Sequence, residues 1–350
     1  MKKALFLASI ILVVTVCQSM TTSADSPISN SLKDISSHWA RASIEGAVKS
    51  GYVDGYEDGS FKPDSEISRA EFVKLVAAAT KSKSIATVEG DNWYKPYIKE
   101  LQDQGVLSQS FYSDDMMVPI TRGEMAVIAT KSVDKASNGN FVDATKLGLI
   151  HGLSGGELAP DGKTTRAQAV TVIERILAAK RGEKLPVDKY AMSKAEIEAT
   201  GSNVGTMLGL KPKEIGTVWT YGTGVTVKLN QLIIADPSDP EDPFMPLIDM
   251  ETFDETLDKT KNTVVLANFT VTVDQSGVDQ NVSLFPEQVL TLLDQTGAFL
   301  LKDAVQLKRW IRFDKPKIQT GFVAYAGKRN LVSREFGFDI LGEHIKLATK

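Results

Sequence analysis

Ile67-Ser68-Arg69-Ala70-Glu71 is the stretch from which the rest of the chain is read. It returns as Ile120-Thr121-Arg122-Gly123-Glu124 and, altered, as Thr164-Thr165-Arg166-Ala167-Gln168, with the arginines 53 and 44 residues apart. A signature returning at that period marks a repeat architecture of small supersecondary units. Each copy reads as a helix start. Ser68, Thr121 and Thr165 are capping residues, and Phe72, Val73 and Val76, or Met125, Ile128 and Ala129, follow at helical spacing. In the first copy Glu71 completes a capping box with Ser68. The arginine then stands on the first turn of a helix, where the backbone dipole favours anions and a guanidinium adds a bidentate carboxylate donor.

Working upstream, Asp34-Ile35-Ser36-Ser37-His38-Trp39 opens a helix with Ile44, Ala47 and Val48 on one face, and Asp34 reads as its entry cap. Asp91-Asn92-Trp93 stands likewise before Tyr97, Ile98 and Leu101. Gly51 to Asp64 is a link dense in Gly, Asp and Pro, so each unit is helix, tight loop, helix. The second unit replaces the glycine-rich loop with Ser108-Gln109-Ser110-Phe111-Tyr112-Ser113-Asp114-Asp115. The third keeps Phe141 and Asp143 but has a shortened first helix over 144–150, no tryptophan, and Gln168 in place of glutamate, which argues against a complete site there. Asp54, Asp58 and Gly59 fall at positions one, five and six of a calcium loop, but Tyr56, Pro63 and Ser65 occupy positions three, ten and twelve, and no calcium site is expected.

These units resemble S-layer homology domains, whose pattern of Asp, His-Trp, a Gly-x-x-x-Gly-x-Phe-x-Pro loop and Ile-Thr-Arg-Ala-Glu is matched by Asp34, His38-Trp39, Gly55 to Pro63 and Ile67 to Glu71. The resemblance covers about 32–182, divided into repeats at 32–80, 88–134 and, degenerate, 138–182. It implies a three-pronged helical assembly that binds the secondary cell-wall polysaccharide of Gram-positive bacteria through a pyruvylated amino sugar. A pyruvate ketal displays a carboxylate, which suits Arg69, Arg122 and Arg166 on helix N-termini, while Trp39 and Trp93 offer flat faces to a sugar ring. Gly55 and Gly152 suit close approach of backbone to sugar, and Asp34 joins them as a residue of the motif. The bland reading of Arg69 is a capping-turn arginine paired with a nearby carboxylate. Recurrence in three units favours ligand binding, whereas Trp39 and Trp93 serve equally as core anchors.

The chain ends and the composition set the compartment. Met1-Lys2-Lys3 and the apolar run Ala4 to Val16 read as a signal peptide cleaved after Ala24, with the mature chain starting at Asp25. Cys17 raises a lipoprotein alternative, which Val16 opposes by standing where a small residue is needed. After cleavage no thiol remains, which excludes disulfides and Cys-ligated zinc, and no cofactor is expected. Loss of the leader lysines leaves 38 basic against 44 acidic residues, a net −6 that is unlike a nucleic-acid binder. No later run of eighteen apolar residues predicts a membrane span. The expected location is the cell wall or cell surface.

Downstream, 183–212 reads as a linker or a strap between domains, with a short helix-like Lys194 to Ala199 and then Gly201, Gly205 and Gly209. Over 213–346 alternation takes over: Val225, Val227 and Leu229 share a face, as do Val265, Ala267, Phe269, Val271 and Val273, with Asn268, Thr270 and Thr272 opposite. Ile318–Ala326 and Glu335–Leu341 complete a set that predicts an all-β antiparallel sandwich. Its strand order resembles the immunoglobulin-like, telokin-type sandwiches of secreted Gram-positive proteins. Asp236–Asp258, with nine acidic residues and four prolines, reads as a solvated, proline-stiffened loop that alternatively binds cations or a basic partner.

The expected function is therefore non-covalent wall anchoring of an exported protein whose β-domain faces outward with an unidentified ligand. Two alternatives are a wall-targeted hydrolase active in that domain and an S-layer lattice subunit. No catalytic motif accompanies His38, His151 or His344, and Gly222-Thr223-Gly224 lacks the third glycine of a phosphate loop, so an enzyme is not expected.

Overall fold

The computed structural model describes residues 32–81, 85–86, 88–108, 115–221, 224–249, 258–274, 283–284, 290–292, 297–298, 307, 311–312, 317–340 and 343–350. The expected leader with Cys17, most of the Ser108–Asp115 loop, and Gly222-Thr223 lie outside them.

All three signatures start helices. α2 (Arg69–Thr80), α4 (Arg122–Val133) and α6 (Arg166–Lys180) each carry a full capping box, from Ser68 and Glu71, Thr121 and Glu124, and Thr165 and Gln168. The degenerate third copy caps as well as the others, because a glutamine carbonyl accepts the cap amide as a carboxylate does. α1 (Arg41–Lys49), α3 (Lys95–Asp103) and α5 (Phe141–Lys146) are the shorter partners. Asp34 is not the entry cap of α1. Ala40 holds that position without a side-chain bond, and the Asp34 carboxylate accepts the amides of Phe61 and Lys62 at 2.8 Å each. Burial raises the Asp34 carboxyl, but these two amides outweigh it and hold its pKa below the ordinary value. The clamp sits where it is needed, since Lys62 has φ 56°.

A closed ring of backbone hydrogen bonds joins the three signatures. Ile67 N–H donates to Thr164 O, Thr164 N–H to Ile120 O, and Ile120 N–H to Ile67 O, at 2.9–3.0 Å. The fully buried side chains of Ile67, Phe72, Ile120, Ile128, Leu149 and Ile173 fill the core around it.

The expected linker contains α7 (Lys189–Thr200) and α8 (Val204–Leu208). α7 buries Ala191 and Ala195 with Leu158 of the third unit, and its Ile197 packs beneath the sheets that follow. Packed on two sides, α7 is held against its neighbours rather than free.

Beyond it run β1 (Lys211–Pro212), β2 (Val218–Tyr221), β3 (Val225–Ala235), β4 (Asn262–Val273), β5 (Ser283–Leu284), β6 (Leu290–Leu292), β7 (Gly297–Ala298), β8 (Ile311–Arg312), β9 (Lys317–Lys328), β10 (Phe336–Ile340) and β11 (Glu343–Thr349). They form antiparallel sheets in the orders β2-β3-β4-β9-β7 and β1-β11-β10-β6, with a separate β5-β8 pair. The predicted face of Val265, Ala267, Phe269, Val271 and Val273 packs with Phe336, Phe338 and Ile340 of the second sheet, and Phe338 meets Phe269 edge-on at 5.6 Å. A one-turn helix, Arg329–Val332, interrupts the strands.

The described part of the acidic loop, 236–249, is not solvated throughout. Phe244 and Ile248 cover Val264 and Leu266 on the other face of β4, and Asp242 is 2% exposed. Asp236 takes Arg329 through both oxygens at 2.6 and 2.9 Å, and Tyr190 of α7 donates to Asp239. The carboxylates thus hold the loop to its neighbours. Among the described residues no group of three acidic, histidine or cysteine side chains is placed to hold a metal ion.

Candidate functional site

The first turn of each long helix leaves amide donors that need partners. In α2, Arg69 N–H donates to Val118 O, Ala70 N–H to Met116 O, and Glu71 N–H to the Ser68 hydroxyl. In α4 the acceptors are Gly162 O, Pro160 O and the Thr121 hydroxyl, and in α6 they are Ser65 O, Pro63 O and the Thr165 hydroxyl. These donors are consumed in joining the units. The expectation that the helix ends themselves receive an anion is therefore corrected: what remains for a ligand is the side chains.

The three arginines have three fates. Arg69 meets Glu124 of the next unit at 2.5 Å and donates to Asp115 O at 3.2 Å, so it is the capping-turn arginine paired with a carboxylate. Burial raises the Glu124 carboxyl, but the hydrogen bonds from Arg69 and the Thr121 amide prevail and lower its pKa. Arg166 donates to Phe61 O at 3.0 Å and lies over the rings of Phe61 and Tyr56, 4.7 and 5.0 Å from their centroids. Arg122 donates from Nε to Leu158 O and from Nη2 to His151 O, both at 2.9 Å, and no carboxylate pairs with it among the described residues. Each guanidinium thus reaches a carbonyl in the loop of another unit, a junction role that spacing alone did not reveal.

Of the eight predicted residues, one cavity of about 280 Å³ gathers Trp39, Arg122 and Gly152. Trp39 is 65% exposed, which favours the platform reading over the core anchor, and its indole lies 5.3 Å from the His38 ring. Trp93 goes the other way, packing half-buried on the core with Lys74 Nζ 5.8 Å from its ring. Asp34 is occupied by its loop amides. Gly55 is needed for internal packing, since a Cβ there would stand 2.5 Å from Leu32 Cδ2. Gly152 is likewise pressed on the backbone of Gly156, while its amide donates to Asp188 at 3.0 Å. Neither glycine needs a sugar to account for it.

Sequence reasoning missed His151, Gln168 and Arg175, which complete the cavity wall with Thr171 and Val172. A signal was available: Gln168, Thr171, Val172 and Arg175 stand at i, i+3, i+4 and i+7 on α6, one helical stripe. Arg175 donates from Nη2 to His151 Nδ1 at 3.2 Å, which leaves His151 Nε2 to donate to Pro186 O at 3.1 Å, so the ring is neutral. Burial and the Arg175 charge push the His151 pKa down. Burial also presses Arg122 and Arg175 below their ordinary values. None of the side chains lining the cavity is acidic. Two guanidiniums and an exposed indole therefore face a space that suits an anion, with Asp188, behind the wall on the Gly152 amide, offsetting part of the Arg175 charge.

The family model described as the S-layer homology domain matches residues 31–73 and 143–170. Among curated relatives, an amylopullulanase of Thermoanaerobacterium thermosulfurigenes is 26% identical over 172 residues, covering 41% of this chain and 9% of that protein. A cellulosome-anchoring protein of Acetivibrio thermocellus is 47% identical over 49 residues, 14% of this chain and 11% of that protein. An S-layer protein of Bacillus thuringiensis subsp. finitimus is 27% identical over 154 residues, 41% of this chain and 19% of that protein. The chain spans less than a fifth of the length of each of these relatives. It carries S-layer homology sequence and is a secreted protein of the cell surface. Among the described residues no helix is long and apolar enough to cross a membrane.

Proposed function

We propose that this protein anchors at the cell wall by binding the anionic sugar of a secondary wall polysaccharide, a pyruvylated amino sugar, in the cavity of Trp39, Arg122 and Arg175. The observation that carries the reading is a pair of guanidiniums with no acidic side chain on the wall around them, beside an exposed indole. A ketal carboxylate brings a counter-charge into the cavity itself, and the sugar ring to which it is fused supplies an apolar face for Trp39. In this reading 32–182 forms three S-layer homology units, and 213–346 is a β-sandwich displayed outward with a binding rather than a catalytic role. The S-layer and cellulosome-anchoring relatives favour an anchoring role.

Retention of the purified chain on acid-extracted wall polysaccharide, before and after chemical removal of its pyruvate groups, tests the reading. Removal should lower retention at least tenfold, and Arg122→Ala should do the same on the native polymer. Equal retention on both polymers would overturn the carboxylate assignment.

A further inference from the structure

The capping box does more than start α4, because its third residue, Glu124, meets Arg69 of the preceding unit, and in α6 the corresponding Gln168 lines the cavity that holds Arg122. In α4, Glu124 Oε2 accepts the Thr121 amide at 3.0 Å, and Oε1 is left for Arg69, which it takes at 2.5 Å. In α6, Gln168 Oε1 accepts the Thr165 amide at the same 3.0 Å. That bond fixes the orientation of the side-chain amide, since only its carbonyl can receive an N–H. The atom of Gln168 equivalent to the arginine-binding oxygen of Glu124 is therefore Nε2, a donor. It cannot take the neighbouring guanidinium, and Gln168 lines the cavity beside Arg122.

From this juxtaposition we propose that Gln168 determines which junction receives the anion: it withholds the carboxylate that would neutralise Arg122 and adds a second donor to the same cavity. The inference rests on the polysaccharide reading for the identity of the anion, but not for the charge balance. The departure from the repeat pattern that argued against a site in the third unit becomes its selectivity element. The junction of Arg69 and Glu124 is the internal control, with the same backbone and cap but its guanidinium already paired. At the remaining junction Arg166 lies on Phe61 and Tyr56, which leaves Arg122 as the guanidinium with neither an acidic nor an aromatic partner among the described residues.

Gln168→Glu is the test. Glu71 and Glu124 form the same box, so the variant keeps its helix start and folds. Titration with acid-extracted, pyruvate-bearing wall polysaccharide should show binding at least tenfold weaker than for the parent chain. A double-mutant cycle of Gln168→Glu with Arg122→Gln, read by thermal denaturation without polysaccharide, should show the new carboxylate coupled to Arg122. Undiminished binding by Gln168→Glu, or no coupling in the cycle, would overturn the inference. A parent chain that binds no wall polysaccharide would instead sink the anchoring reading, and the cycle would still decide whether Gln168 sets the charge of the junction.

Discussion

The loops of the first and third units share a backbone and differ in what it presents. Lys62 and Ala159 hold the corresponding position at φ 56° and 45°, and the carbonyls just before them, of Phe61 and Leu158, accept from Arg166 and Arg122. Around that common frame the first unit places Tyr56 and Phe61 against its guanidinium, while the third opens a cavity with His151, Gly152 and the α6 stripe. The difference teaches that the repeated signature specifies how units are joined. What a junction binds is set by residues the signature leaves free.

The glycines break this comparison most sharply. A Cβ at Gly152 would stand 2.5 Å from the Gly156 backbone, which has little room to yield, whereas at Gly55 the nearest atom is the tip of Leu32. Gly152→Ala should cost about 3 kcal/mol in denaturant unfolding and Gly55→Ala about 1 kcal/mol. Equal losses would show that the two loops are not held differently. Next come the arginines. Arg122→Ala leaves the carbonyls of Leu158 and His151 without their donor and should cost about 2 kcal/mol, together with polysaccharide retention. Arg69→Ala breaks a partly exposed pair and should cost about 1 kcal/mol with retention kept. Loss of retention in the Arg69 variant would dissolve the distinction between the junctions.

A smaller effect separates the junctions by pH. Because folding lowers the His151 pKa, the unfolded chain binds the extra proton first. The stability owed to the neutral ring is thus complete above 6.5 and falls as the pH drops toward the folded value. The Arg69–Glu124 pair gives its full contribution above 4.5 and loses it as the pH falls through the lowered folded value. Melting temperatures across pH should lose their upper decline in His151→Gln and their lower one in Glu124→Gln. A single unchanged profile for both would refute the assignment. The smallest change is Tyr190→Phe, which removes the bond to Asp239 between α7 and the acidic loop and should cost about 1 kcal/mol or less.

How much of this was legible in the sequence follows from which forces are local. The helix starts and the first capping box were, because Ser68 and Glu71 lie within one turn of each other. The buried face of β4 was, because strand alternation prints it directly. The fate of each arginine was not: it depends on a carbonyl some 36 residues away for Arg122 and 105 for Arg166. Asp34 was misplaced for the same reason, its partners lying 27 and 28 residues on. The acidic loop left a trace that went unread. Val264-Val265-Leu266-Ala267 is a continuous apolar run, which requires cover on both faces of the strand, and Phe244 and Ile248 provide the second.

The hydrogen-bonded triangle of Ile67, Ile120 and Thr164 has a topological corollary. A stacked array grows or shrinks by one unit and needs special capping units at its two ends. A triangle has no ends. Each corner donates its amide to one neighbour and accepts the amide of the other at its carbonyl, so loss of any one corner strands a donor and an acceptor in the core. Closure, and not stacking, is what ties these three signatures together.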